Sequence, residues 1–313
     1  PCARGILEYM NMSLFQTVVV GIFVVFGLGA LLLFATFSSN GSARVGEVLI
    51  WGTLSAQEMQ PALDVLQGET DEYAGVEYQP MSESDFIPKL VAAIAAGRGP
   101  DVVLFPTAYL LSQGDKLVQI PYSEFSRREF QDTFLEAGEV LLTENGMYGV
   151  PFTVDPLVLY WNRTFFAEAG LAQAPKYWDE VTTQTEALSK SDNRGTLTRS
   201  GIAMGTWENV THAKGLLVSL IRQLGNPVVA KTDKGGYVSV LKDAGAGQQP
   251  SAPSALRFYT DFADPVKTSY SWNSSQPESL NAFVSGRLAL YVGRASELFP
   301  IRASNPNLNF DVS

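Results

Sequence analysis

Few side chains in this sequence can do covalent chemistry. It holds one cysteine, Cys2, and one histidine, His212. That excludes a disulfide scaffold, a zinc site built on Cys and His, and any dyad that needs a second imidazole. No nucleophile stands beside a base in a recognisable pattern. What remains suits recognition. A sugar site needs flat aromatic faces for C–H surfaces and planar polar groups for hydroxyls. Trp51, Trp207 and Trp272 offer the faces, with core packing as the alternative for each, whereas Trp161 and Trp178 read as packing residues. Asp155 interrupts an apolar stretch just before Pro156, where a turn cap is the alternative. Glu208 and Asn209 follow Trp207. Arg294 could grip a carboxylate, a phosphate or a vicinal diol, or be salt-bridged. Asp155 with Glu208 is a conceivable carboxylate pair for glycosidic acid–base work, but no motif supports it. His212 stands near a helix start and reads as a surface residue or cap. Gly245-Ala246-Gly247 lacks the spacing of a phosphate-binding loop.

Composition narrows the class. With 313 residues, 46% hydrophobic and 17% charged, the chain suits one large or two ordinary globular domains. It carries 22 basic and 32 acidic residues, a formal charge of −10 that disfavours a nucleic-acid partner. Positions 9 to 43 hold no charge, and their 23-residue apolar centre, 15–37, is long enough to span a bilayer as one transmembrane helix. A cleaved signal peptide is the competing reading, although its apolar region usually has about 7–15 residues. Cys2 precedes the apolar run, so lipid anchoring is not supported. Residues 1–14 read as an N-terminal segment that need not be native, since Met10 and Met12 stand just before the run. Residues 38–46 are small and polar and read as a linker.

The elements that must position these side chains alternate. Val48-Leu49-Ile50-Trp51 predicts a buried strand, followed by a helix over about 56–66. Val76-Glu77-Tyr78 is a second strand. Ser84-Asp85 caps a helix with Phe86, Leu90, Val91 and Ile94 inward, Pro88 in its first turn and Gly97 at its end. Residues 101–105 form a third strand. This succession predicts a parallel α/β sheet. Ligands then sit beyond the strand ends, at Trp51, Thr53, Phe105 and Thr107. Further along, 157–162 and 202–204 read as strands and 211–224 as a helix. A helix over 252–262 would turn Leu256 and Phe258-Tyr259 inward. A helix over 278–286 and a strand over 288–292 follow.

Four segments carry a resemblance. They are Val48-Leu49-Ile50-Trp51-Gly52; the stretch from Lys89 through Gly97-Arg98-Gly99-Pro100-Asp101 to Val103; Tyr148-Gly149-Val150-Pro151-Phe152 through Tyr160-Trp161-Asn162 to Trp178-Asp179-Glu180; and Ala282-Phe283 through Gly286 to Gly293. In order and spacing the chain resembles the extracellular solute-binding proteins of sugar-type ABC importers, the group that includes maltose-binding protein. The resemblance implies a two-lobed periplasmic-binding-protein-like (type II) α/β fold, with lobe 1 over 47–152, lobe 2 over 153–308, and a second hinge crossing starting at 309–313. It implies a chain longer by about a third, so that lobe 1 would here be incomplete and the isolated chain poorly stable.

The resemblance also implies roles. The partners are a small-molecule ligand, most simply a carbohydrate, and the permease subunits of an ABC importer, with no cofactor. Asp155, just after the first hinge crossing, matches a position that often supplies an acidic ligand contact. The loop Gly293-Arg294-Ala295-Ser296-Glu297 matches a ligand-contacting loop in which an aromatic is common. Its Arg294 departs from that pattern and weakens any claim that the ligand is a maltodextrin. Two alternatives stand beside the receptor: a membrane-tethered carboxylate-dependent glycoside hydrolase, and a receptor for a non-sugar solute such as a peptide, polyamine or metal chelate.

Overall fold

The computed structural model describes residues 46–69, 71–232, 236–242 and 251–313. The chain divides into two compact units after Phe152. The apolar segment 15–37 and the Gly-rich 245–247 lie outside the described residues. Among the described residues no helix is long and apolar enough to cross a membrane.

In the first unit the apolar run at 48–51 forms β1 (Val48–Gly52), flanked in parallel by β2 (Val76–Pro80) and β3 (Val102–Val103). Helix Ala56–Glu69 sets Met59 and Leu63 against Val76, and helix Glu83–Ala95 sets Phe86 and Leu90 against Trp51. This is the expected strand–helix alternation, with two local differences. The cap is Ser82, whose Oγ accepts the Asp85 N–H at 3.3 Å. The helix therefore starts earlier than expected, and Pro88 falls inside it rather than in its first turn. The third strand is also shorter than expected. A small antiparallel pair, β4 (Ile120–Pro121) and β5 (Gly146–Met147), follows.

The second unit is built on β6 (Leu157–Asn162), β7 (Lys190–Ser191), β8 (Leu197–Ile202), a hairpin of β9 (Val229–Lys231) and β10 (Tyr237–Ser239), β11 (Leu288–Arg294) and β12 (Phe310–Val312). Its main sheet has the order β12-β6-β11-β8-β7. Only the β11–β8 pairing is parallel; β6 runs against both β11 and β12, and β7 against β8. The sheet is thus mixed, where strand–helix alternation alone predicts a parallel one. The expected strand at 202–204 lies earlier, at β8. Helix Ser251–Asp261 turns Ala255 and Tyr259 inward and leaves Leu256 half exposed, because inward positions recur three or four residues apart and 256 is off that stripe.

The core of this unit is aromatic. Tyr160 and Phe283 each stack on Tyr291 at ring separations of 5.8 and 5.7 Å, and all three are buried. Truncating Phe283 leaves a cavity against the Tyr291 ring. Phe283→Ala is expected to cost about 3–5 kcal/mol in urea unfolding. Phe299→Ala, at a ring 72% exposed, should stay within about 0.5 kcal/mol. Equal costs would contradict this account of the core.

Candidate functional site

Strand direction gathers the candidates of the second unit. Because β11 and β8 are parallel and β6 opposes β11, the ends of β11 and β8 and the start of β6 share one edge of the sheet. Arg294 at the end of β11 lies opposite Leu157 at the start of β6. The turn Ala295–Glu297 leaves from this edge.

Asp155, Arg294 and Ser296 come together here. The Ser296 backbone N–H and Oγ–H donate to the two Asp155 carboxylate oxygens at 3.0 and 2.8 Å. The Arg294 Nη1 donates to the Asp155 carbonyl at 3.1 Å and lies 3.8 Å from its carboxylate. The Arg294 side chain remains 52% exposed, so this guanidinium is both oriented and open to solvent. Asp155 is therefore bonded across the edge, 141 residues away in sequence, and is more than a local turn cap.

Beneath the exposed trio the turn is fastened to the core. The Tyr160 hydroxyl donates to the Arg294 carbonyl at 2.6 Å, and the Ala295 N–H donates to the Pro156 carbonyl at 3.0 Å. The Tyr291 hydroxyl donates to Glu297 Oε2 at 2.7 Å, and His212 Nε2 lies 2.6 Å from Glu297 Oε1. Gly293 is buried, and a Cβ there would strike the Tyr291 ring and the Glu297 carboxylate. Its lack of a side chain lets the turn approach the Tyr291 ring and Glu297 this closely. Burial, then the charges of Glu297 and Asp155, push the Tyr160 hydroxyl up to about 12. Burial and the hydrogen bond to Glu297 push Tyr291 further the same way.

The other candidates separate. Trp207 is 59% exposed on the loop after β8, at the same sheet edge, and Glu208 beside it is exposed. Trp272, by contrast, is fully buried in the core and offers no face, which corrects the expectation for it. Asn209 is partly buried and held by four hydrogen bonds. Its Nδ2 donates to the carbonyls of Asn273 and Gln276, both at 2.9 Å, and its Oδ1 accepts from Trp272 Nε1 at 3.1 Å and from Thr206. It ties the Trp207 loop to the core. In the first unit Trp51 is nearly buried beside Phe86 and Leu90, and its Nε1 has no partner. Phe105 packs partly against that cluster, Thr53 is partly exposed and Thr107 is exposed. Sequence reading placed Glu297 in the loop without a role, missed Tyr160 and Tyr291, and gave His212 no part in the site. His212 does occupy the cap position of helix Ala213–Gln223, but its side chain makes no cap bond and turns to Glu297.

Comparison with known proteins gives the following. A family model described as bacterial extracellular solute-binding protein matches residues 62–313. A binding protein of Brucella abortus is 27% identical over 94 residues, 30% of this chain and 23% of that protein. The match thus spans about a quarter of the relative's length. Among solved structures, the sugar-binding protein of Xanthomonas citri aligns with a TM-score of 0.64 at 20% identity, over 85% of this chain and 65% of that one. A Thermotoga lettingae ABC transporter solute-binding protein bound with α-D-tagatose aligns with 0.58 at 22% identity, over 86% and 67%. A mannotriose-bound protein aligns with 0.59 at 23% identity, over 85% and 67%. These likenesses show a shared α/β fold.

The buried tyrosines make a test of the site's anchoring. Tyr160 and Tyr259 are both raised to about 12, from an ordinary value near 10. The folded state thus holds these protons more tightly than the unfolded chain. The stability this confers is complete below about pH 10 and is lost as pH rises toward 12. Tyrosinate absorbance should show the exposed tyrosines ionising first, and these together with unfolding. Ionisation of all twelve tyrosines in one step near pH 10 would contradict it.

Proposed function

The chain belongs to the bacterial extracellular solute-binding proteins, and on that premise we propose that it captures a small carbohydrate outside the cell and delivers it to the permease of an ABC importer. The observation that carries this reading is the oriented, half-exposed Arg294 held by Asp155 and Ser296, on the same sheet edge as the open Trp207 indole. A guanidinium and a carboxylate bind vicinal hydroxyls, and an indole face covers the apolar side of a sugar ring. Two solved relatives of the same fold hold tagatose and mannotriose, which supports a sugar as the solute.

In this proposal Asp155, Arg294, Ser296 and Trp207 are contacts of lobe 2, and Trp51, Thr53, Phe105 and Thr107 those of lobe 1. Trp272, Asn209 and Gly293 support them from behind. The lobes span 47–152 and 153–308, and solute contacts favour a hinge-closed state that the importer recognises. No bond of the solute is made or broken, so the family's binding role displaces the hydrolase alternative. The apolar segment 15–37 anchors the domain at the cell membrane through the linker 38–46.

Thermal unfolding of the full chain against mannotriose, maltotetraose, tagatose, amino acids and metal ions tests this. One sugar class is expected to stabilise the protein, by about 2.7 kcal/mol at a hundredfold excess over Kd. Arg294→Ala should weaken that binding about 10- to 100-fold in calorimetry, the cost of a hydrogen bond to a charged group. Stabilisation by amino acids or metal ions alone, in a sample that unfolds cooperatively, would overturn the carbohydrate reading. Unchanged affinity in Arg294→Ala would overturn the site.

A further inference from the structure

His212 is the single histidine of the chain, and it sits where a proton can be felt. Its Nε2 meets Glu297 Oε1 at 2.6 Å, with the two side chains 19% and 17% exposed. Glu297 closes the turn that presents Arg294 and Ser296, and its other oxygen is already taken by the Tyr291 hydroxyl. Histidine is the side-chain type that most readily changes charge near neutral pH, and this one stands against the turn.

We propose that His212 is the positioning residue of the Arg294–Glu297 turn and couples the order of that turn to pH. The Glu297 carboxylate is already an ionised acceptor; a proton on the imidazole charges the donor as well and turns this hydrogen bond into an ion pair, which adds a coulombic attraction at 2.6 Å. The tightened Glu297 holds the turn's last residue, and Ser296, its immediate neighbour, is held to Asp155 with it.

The charges around the imidazole come from several elements. Glu297 faces it from the turn, and Tyr291 of β11 stands behind Glu297. Glu278, ahead of helix Ser279–Val284, reaches the hydroxyl of Thr211 at 3.3 Å, next in sequence to His212. Asp155 and Tyr160 approach the same turn from β6 and the residues before it. Arg294 lies at the turn's start and Lys214 on the histidine's own helix. Three carboxylates thus stand against two cations, and the only one of these groups bonded to the ring is an anion.

The consequence for capture rests on the proposed solute-binding role of this turn, so the experiment has two arms on the full chain. The first needs no solute. Magnetic resonance follows the lone imidazole and the exchange protection of the Ser296 amide between about pH 5 and 8. Corrected for intrinsic exchange, that amide should be roughly fivefold better protected with the imidazole charged. His212→Gln keeps an N–H donor and cannot take the proton; Glu297→Gln removes the charge and leaves one acceptor oxygen where the carboxylate offers two. His212→Gln should abolish the pH dependence, and Glu297→Gln should remove the gain in protection at low pH, both while unfolding cooperatively. Protection in wild type that does not follow the imidazole, or that persists in His212→Gln, overturns the proposal.

The second arm is mannotriose affinity over the same pH range, expected to weaken as the imidazole loses its proton and to be flat in His212→Gln. Affinity that changes with pH equally in both proteins also overturns it. Absence of mannotriose binding at every pH counts against the carbohydrate reading and leaves the Ser296 result to decide the role of His212.

Discussion

Glu297 is held at both carboxylate oxygens, by His212 and by Tyr291, and the geometry of the candidate site follows from that one anchor. A turn that leaves a sheet edge into solvent is ordinarily free to move. Here its first residue hangs from Tyr160, its middle from Pro156 and Asp155, and its last from the Glu297 carboxylate. The partners come from the 155–160 segment, from Tyr291 of β11 and from His212, so the turn keeps one conformation. Arg294 can then present a charged, half-exposed group without the entropy loss of ordering a loose loop around solute.

The anchor depends in turn on the aromatic core. Tyr160 and Tyr291 reach the turn with their hydroxyls only because their rings are stacked with Phe283 beneath it. Gly293 carries no side chain, and the space a Cβ would need is filled by the Tyr291 ring and Glu297. A second node works alike: Asn209, saturated by Trp272, Asn273, Gln276 and Thr206, fixes the loop on which Trp207 stands open. The candidate contacts are exposed in both cases, and the residues that place them are buried or partly buried.

Much of this was legible in the sequence, for physical reasons. Apolar runs bounded by turn residues marked β1, β6 and β11, because buried strands need continuous apolar side chains. Asp155 and Arg294 were legible as charges that interrupt apolar strand ends. The antiparallel course of β6 against β11 was not, since pairing direction leaves no local trace when strands are separated by 125 residues or more. The same holds for Glu297 and His212, 85 residues apart. Tyr160 and Tyr291 read as core from their strands, and their hydroxyl bonds are invisible to periodicity. Trp272 and Asn209 went the other way: both types suit sugar contacts, and only their observed partners show them turned inward.

The central claim is that the turn at the end of β11, with Asp155, is where this protein holds its solute. A crystal structure of the full chain with the saccharide that most raises its melting temperature tests that most directly. The account predicts sugar hydroxyls within hydrogen-bond distance of Arg294 and Asp155, with a ring over Trp207. A saccharide bound elsewhere, with the Asp155–Ser296 and Glu297–His212 contacts unchanged and Arg294 in water, would contradict it.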